Sequence, residues 1–336
     1  MRKPNAAPFI HCEDTVNTLY SDILVSLLPL VIISIVQNGL RVLFISTLSM
    51  LAGWLAQCAG NFVKGRGFSA GLQPAITGLI LALLCPVTVP WWLPALGSVF
   101  SVVIIDVVMN EFYENLFSPP VIGWLFMLSI APGKMDTYPM VGFFNSFPIF
   151  KSEFSFATSQ SIAQSLQLKI KPQFDMVQIL TGRVPGGMGT TCIIVMAAVM
   201  VFLFYRRAVA WQVTMSMIFA AAVIAVIFNR TGSGALYSIL CEISASSYMF
   251  AAIFIAGNVT LSPKTSIGRV IYGVVIAVIV MSLRYKGITE YAVIFSHIVA
   301  NWISVLCDQV ALLILTGKAK SLKGHAGREN YGRLLS

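Results

Sequence analysis

The chain of 336 residues is 57% hydrophobic and only 10% charged, with a mean hydropathy of +0.83, whereas roughly a quarter of a soluble domain is charged. This composition excludes a soluble globule, and continuous rather than alternating apolar runs exclude a transmembrane β-barrel, which leaves an all-α polytopic membrane protein. The net charge of +9 does not point to nucleic acid, because the basic residues stand in short loops and the tail rather than on one folded face; the expected surroundings are membrane lipid.

Met1 to Asp22 is polar and carries Glu13, Asp14 and Asp22 before any apolar core, so no cleavable signal is expected. Apolar runs follow at 23–36 and 42–59, joined by the turn signal Gln37-Asn38-Gly39. After Lys64-Gly65-Arg66-Gly67 come runs at 72–86, 92–109 and 119–131, the first of these ending in Cys85-Pro86-Val87-Thr88-Val89-Pro90. Residues 132–187 are hydrophilic, and spans resume at 190–205, 210–228, 236–256, 267–283 and 290–316. The expectation is about ten transmembrane helices.

An internal echo divides them. Pro86-Val87-Thr88-Val89-Pro90 is matched by Asn258-Val259-Thr260-Leu261-Ser262-Pro263, and Gly97, Val99 and Val103 by Gly268, Val270 and Val274. Five spans per half is an odd number, so the two repeats would be inverted, an arrangement that places binding sites near the midplane, where short helices are broken. The expected units are an N-terminal five-helix repeat (1–131), a loop (132–189), a C-terminal five-helix repeat (190–316) and a basic tail (317–336). Orientation follows the Lys and Arg of the short segments. The side holding Arg2, Lys3, Lys64, Arg66, Arg206, Arg207, Lys264, Arg269 and the tail carries 13, and the other side, with Arg41, Arg230, Arg284 and Lys286, carries 4. Both termini are therefore expected in the cytoplasm and the 132–189 loop outside.

Two blocks stand out. Phe154-Ser155-Phe156-Ala157-Thr158-Ser159 lies inside the polar stretch and reads either as a functional motif or as a hydroxyl-rich turn. Gly182-Arg183-Val184-Pro185-Gly186-Gly187-Met188-Gly189-Thr190-Thr191 precedes the sixth span. It is not a phosphate-binding P-loop, because Met188 stands where the lysine is required. What remains open is an anion-accepting entry to a helix N-terminus or a plain glycine turn. The six cysteines are scattered with no CxxC pair, so no metal site or disulfide framework is expected; Cys85 and Cys241 matter only if a partner brings an iron–sulfur cluster. Asp106 and Glu242 lie inside spans, where an ionisable group is either functional or explained by a position at a helix end or a pair with a neighbour. His297 reads as a packing residue.

In order and spacing these blocks resemble the RnfD/NqrB family, which comprises one membrane component of the Rnf electron-transport complex and one of the sodium-pumping NADH:quinone reductase. Ser155-Phe156-Ala157-Thr158 resembles its Ser-x-Ala-Thr flavin-attachment signature, and further matches include 21–30, 77–86, 117–124, 251–273 and the Asn301 to Asp308 segment. The resemblance implies FMN joined by a phosphoester to Thr158 and installed by a separate flavin transferase, with Ser155 and Ala157 leaving room. It places Gly186, Gly187, Gly189 and Thr191 beside the flavin, and it raises the question of a second, non-covalent flavin. It implies other membrane subunits, the plasma membrane of a prokaryote, electron relay without acid–base catalytic residues, and Na⁺ or H⁺ translocation as an open question. The chain departs from the family at Gly257-Asn258, Ser118-Pro119-Pro120, Asp106, Ser152 and Gly189-Thr190-Thr191-Cys192, departures that bear on ion coupling and a second flavin. The expected inverted arrangement resembles that of urea transporters, so the alternative is a small-solute channel whose path is lined by Thr88, Asp106, Glu242 and Thr260.

Overall fold

The computed structural model describes residues 16–65, 67–109, 117–140, 147–151 and 156–334, with the side chains of Val16, Asp106, Val305 and 316–334 excepted. Ser155, Ser152, Glu153 and the Asp106 side chain therefore lie outside the described residues. The chain is a multi-pass helical membrane protein. Helices α1 (Val16–Asn38), α2 (Leu40–Val63) and α13 (Ser266–Tyr285) are each long and apolar enough to cross a bilayer, as is the combined stretch Ala235–Ala256. A fifth such segment is the bent pair Ala292–Ser304 and Leu306–Leu315 within α14 (Ala292–Leu334), which turns by 48°. The remaining apolar helices are shorter: α3 (Gln73–Leu84), α4 (Trp92–Ser101) with its π-helical continuation Val102–Val108, α5 (Pro119–Ile130), α9 (Ile193–Tyr205) and α10 (Trp211–Ile227). At 1.5 Å per residue these fall short of a ~30 Å hydrocarbon core by themselves.

The lengths follow from local chemistry. Pro74 opens α3 and Pro119 opens α5, where the missing N–H costs nothing; Pro86 stops α3 by forcing Cys85 into extended backbone. The 236–256 run, expected to be one helix, is broken into α11 (Ala235–Ser244) and α12 (Tyr248–Ala251), the latter continuing as a π turn to Ala256. At the break Ser246 and Ser247 both take left-handed backbone, φ 53° and 57°, a conformation that costs serine of order 1 kcal/mol and persists only where its surroundings hold it. No apolar pattern announces it.

Polar contacts sort the connections into two ends. At one end Asp22 pairs with Arg206, Tyr20 bonds Gln73, Val209 bridges to Asn258, and Asp308 accepts from the Lys264 and Thr265 backbone. At the other end the 132–189 region covers the helices. Its described residues form α6 (Pro132–Met135), α7 (Ile162–Gln167), α8 (Met176–Thr181) and a two-strand ladder of β1 (Tyr138–Pro139) and β2 (Thr158–Ser159). The two echoed blocks lie at opposite ends: Val87 and Val89 meet the covering region through Arg41, whereas Asn258 meets Val209.

Small residues bring the helices together, as they must where lipid gives no hydrophobic drive for helix association. Gly78 on α3 lies so near α2 that a Cβ there would stand 2.3 Å from the Ser49 carbonyl oxygen. Ser49 Oγ donates to the Gly78 carbonyl at 2.8 Å, and Ser98 Oγ on α4 donates to the Ser49 carbonyl at 3.0 Å. α10 and α13 pack in the same way, with α13 also against α14. Gly78→Ala should therefore lower stability by about 2 kcal/mol through overpacking. Gly133→Ala, where nothing lies within 4 Å of the added atom, should stay within about 0.5 kcal/mol of the parent; thermal unfolding in detergent reads both.

Candidate cofactor site

Thr158 is exposed on β2, opposite Pro139, and Ser159 pairs with Tyr138. The Met140 N–H donates to the carbonyl of Ala157, also exposed, at 2.9 Å, which closes the ladder. Two residues further on, Ser161 caps α7 in a reciprocal box with Gln164. The strand pair and the cap together present the Thr158 hydroxyl to solvent on a braced segment.

Beside that segment opens a cleft of about 320 Å³. Tyr138, Ser161, Ile162 and Ala163 form one wall, Val184 to Gly187 with Thr190 and Thr191 a second, and the broken helix at Ser244–Ser247 with Glu290 a third. Its hydroxyls are already oriented. Thr191 donates to the Gln37 side-chain oxygen at 3.1 Å, Ser247 Oγ donates to Thr190 Oγ1 at 2.9 Å, and Ser246 Oγ donates to the Thr289 carbonyl at 2.5 Å.

The glycine-rich block does something other than open a helix toward an anion. α9 begins only at Ile193, and the N–H groups of Met188 and Gly189 donate to the Cys85 and Leu83 carbonyls at 2.8 and 3.0 Å, capping the C-terminus of α3. A Cβ on Gly187 would stand 2.7 Å from the Leu84 carbonyl oxygen, and one on Gly189 would stand 2.7 Å from Leu83 Cδ2, so only glycine lets the loop lie on the helix end. Gly189 is thus a strut, while Gly186, Gly187 and Thr191 reach the cleft wall. Thr158 and Ala157 sit on the neighbouring ladder rather than on the wall.

Fixed charge lies behind the broken helix. Arg284, fully buried, donates from Nη1 to the Glu242 carbonyl (2.7 Å) and carboxylate (2.8 Å), and from Nη2 to the Ala245 carbonyl (2.7 Å). Arg230 faces the other Glu242 oxygen at 3.5 Å and donates to the Leu166 carbonyl at 2.9 Å. Glu242 is therefore the paired carboxylate of the two readings open for it, and two cations meet one anion. Thr88 is bonded to the Thr137 carbonyl at the covered end and Thr260 to Asn258 at the other, so the residues of a solute path are not brought together. His297 is buried and bonds the Val293 carbonyl within its own helix.

A second cluster stands at the cleft mouth, and nothing in the sequence patterns singles it out. Tyr138 donates to Glu290 Oε2 at 3.3 Å, Ser161 donates to Glu290 Oε1, and Tyr291 donates to Asp136. Burial, and the Asp136 charge after it, push the Glu290 carboxyl up to about 7, against which the Ser161 and Tyr138 hydrogen bonds work. Burial alone pushes Asp136 up to about 6. The same burial, with the two carboxylates, raises the Tyr138 phenol well above its ordinary range. The only sequence signal is an acid just before an apolar run, which a helix start explains equally well.

A model of the NQR2, RnfD, RnfE family matches residues 3–312. Similar proteins include the D subunit of the ion-translocating oxidoreductase complex of Halorhodospira halophila, 26% identical over 90% of this chain and 92% of its own. Its counterparts in Rhodobacter capsulatus (22%, over 85% and 86%) and Haemophilus influenzae (24%, over 92% and 96%) align at similar length.

The raised Glu290 carboxyl has a consequence for stability. It binds its proton more tightly in the folded than in the unfolded chain, so its contribution is complete below the ordinary value of 4.5 and is lost as pH rises toward about 7. Unfolding midpoints measured against pH should show the parent losing stability relative to Glu290→Gln across that window, with the two profiles parallel outside it.

Proposed function

Because the chain belongs to the NQR2, RnfD, RnfE family, we propose that it is a membrane subunit of a multi-subunit oxidoreductase that relays electrons through FMN joined by a phosphoester to Thr158. The observation that carries this reading is the exposed Thr158 hydroxyl on a strand whose partner residue Tyr138 walls the cleft. Ser161 follows Thr158 by three residues, at most about 11 Å of chain, so Ser161 on the wall lies within reach of a ribityl phosphate anchored at Thr158. FMN supplies the electron transfer, and the chain supplies attachment, orientation and field. Gly186 and Gly187 leave part of the second wall bare, Thr190 and Thr191 add hydroxyls beside them, and Ser247 adds one from the third wall. The Arg284–Glu242–Arg230 group behind Ala245 sets a net positive field on the third wall. Ala157, exposed beside Thr158, leaves the approach to Thr158 open for a flavin transferase, the partner that this attachment requires.

A second, small polar pocket walled by Tyr20, Gln73, Thr77, Ser118 and Asn258 at the opposite end is where a second, non-covalent flavin would have to be sought in this reading. Its amide and hydroxyl groups suit a neutral ring. The ten crossings in two inverted five-helix repeats, 1–131 and 190–316, belong to the same reading. They are supported by the placement of the two echoed blocks at opposite ends and by the alternation of ends along α1 to α5 and α9 to α14. The Lys and Arg distribution then sets the Thr158 side outside the plasma membrane of a prokaryote, with both termini in the cytoplasm. The relatives named for ion translocation support coupling of electron flow to Na⁺ or H⁺ movement by the assembled complex.

Denatured protein co-expressed with a flavin transferase should fluoresce in a gel. Thr158→Ala should abolish the signal while Thr191→Ala, whose hydroxyl bonds Gln37, keeps it. A dark parent band, or a bright Thr158→Ala band, would sink the attachment.

A further inference from the structure

Between α1 and α9 runs a groove of about 230 Å³ whose lining is almost wholly apolar. Val25, Ser26 and Pro29 form its α1 wall, and Val195, Ala198 and Phe202 stand on its α9 wall. Spacings of three and four residues keep each set on one helix face. The groove is open because Ser26, Pro29 and Ala198 are compact, whereas Leu28 and Ile32 on α1 and Ile194 and Val201 on α9 are bulky and exposed. Ser26 Oγ donates to the Ile23 carbonyl of its own helix at 2.6 Å, so this hydroxyl is already satisfied.

The same two stripes end in charge. One turn beyond Phe202 stands Arg206, and one turn before Ser26 stands Asp22. Arg206 Nε and Nη2 donate to the two Asp22 carboxylate oxygens at 2.9 and 3.1 Å, which ties the helices together at that end of the groove. Arg207 follows, exposed, and its guanidinium meets no partner among the described residues. Two cations against one anion leave one positive charge over. Arg207 also holds left-handed backbone at φ 54° just past the end of α9, a position that glycine takes by default. The chain carries a cation where the backbone alone favours none.

We propose that this groove seats an acyl chain of one anionic glycerophospholipid of the surrounding bilayer, with the lipid phosphate against Arg207. It does so whether or not Thr158 carries a flavin. An unfilled recess forfeits the dispersion contacts of its lining, and water finds too few polar partners there to fill it. A second helix is held off by the bulky rim, because close helix approach in lipid uses small residues; a slim hydrocarbon chain is not. The dimensions agree, since Phe202 and Arg206 are one turn apart, about 6 Å at 1.5 Å per residue, which sets the cations at the headgroup when the chain lies in the groove. The leftover charge then selects the headgroup. A phosphodiester without a compensating ammonium leaves the site neutral.

Native mass spectrometry of the full chain in detergent, with phosphatidylglycerol or phosphatidylcholine of the same acyl chains, tests this. The parent should hold one phosphatidylglycerol in preference to phosphatidylcholine. Arg207→Gly removes the cation and suits the left-handed backbone, so it should bind phosphatidylglycerol about fivefold more weakly, the effect of one cation on an anionic headgroup. Its unfolding temperature without lipid should be no lower than the parent's. Ala198→Phe fills the groove from an exposed position and should lose the bound lipid, with Ala198→Leu in its place if folding fails. Lys320→Gln, which removes a cation from the tail, should keep it. Equal binding of the two lipids by the parent, undiminished binding in Arg207→Gly, or retention by the groove-filled protein overturns the proposal. Equal loss in Lys320→Gln also overturns it, as the mark of a diffuse attraction to basic residues. A partner helix as the occupant would show as a subunit lost from the assembled complex in Ala198→Phe with the lipid count unchanged, and that result overturns it as well.

Discussion

A helix interrupted inside a membrane protein leaves carbonyl groups that neither water nor lipid can satisfy, each worth several kcal/mol if left alone. In this protein the answer at the ends of α3 and α11 is an arginine. Arg41, fully buried at the start of α2, donates to the Val87 and Val89 carbonyls at 2.8 Å beyond the end of α3, and to Pro148 (2.5 Å) and Lys151 (2.8 Å) of the covering region. Arg284 does the same for Glu242 and Ala245 at the end of α11. The planar fork of a guanidinium can serve several carbonyls at once, which a lysine ammonium does less well. The glycine-rich block completes the set by capping α3 through backbone alone. Short helices, covering region and cleft are therefore parts of one hydrogen-bonding solution.

This explains where the cleft lies. It opens between two helix ends that have been stopped short: α3, held by Met188 and Gly189, and α11, held by Arg284. The chain between α11 and α12 passes through two left-handed serines, and their hydroxyls are spent on Thr289 and Thr190, which fixes the strained backbone as a wall. A site made this way is polar because its walls are helix ends rather than helix sides, and it is rigid because the same bonds that satisfy the ends also tie down the loops.

Much of the architecture can be read from the residues. Hydropathy sets the apolar segments nearly where the helices run, Gln37-Asn38-Gly39 and Pro86 end helices as expected, and the order of motifs points to the family. The break at Ser244–Ser247 is invisible in sequence, because an unbroken apolar run looks the same whether its middle is helical or left-handed; what breaks it is the Arg284 guanidinium from another helix. Arg41 and Arg284 read in sequence only as loop charges that orient the chain, since a one-dimensional charge count does not distinguish a solvated arginine from one buried among carbonyls. The glycine block is legible as a backbone that must approach something closely, but its neighbour, the end of α3, lies about a hundred residues away in sequence. Glu290 and Asp136 are isolated acids in their segments and acquire meaning only once folding brings them near enough to act on each other.

The charges around the cleft divide by role. On the side of the broken helix two guanidinium groups, Arg284 and Arg230, face the single carboxylate of Glu242, an excess of cationic groups that favours added negative charge nearby. At the mouth they are adjustable, because burial holds Glu290 and Asp136 in the range where a proton comes and goes. In the electron-relay reading, charge entering the cleft would meet the Arg284 and Arg230 side and the Glu290 carboxyl on the wall formed with the broken helix. Hydrocarbon around the bundle would make both contributions larger than they would be in water. Walls already fixed by bonds to the helix ends would let that charge enter without moving a helix. Any coupling to ion movement would then have to be expressed elsewhere in the assembled complex, or through the shorter helices on which those walls rest.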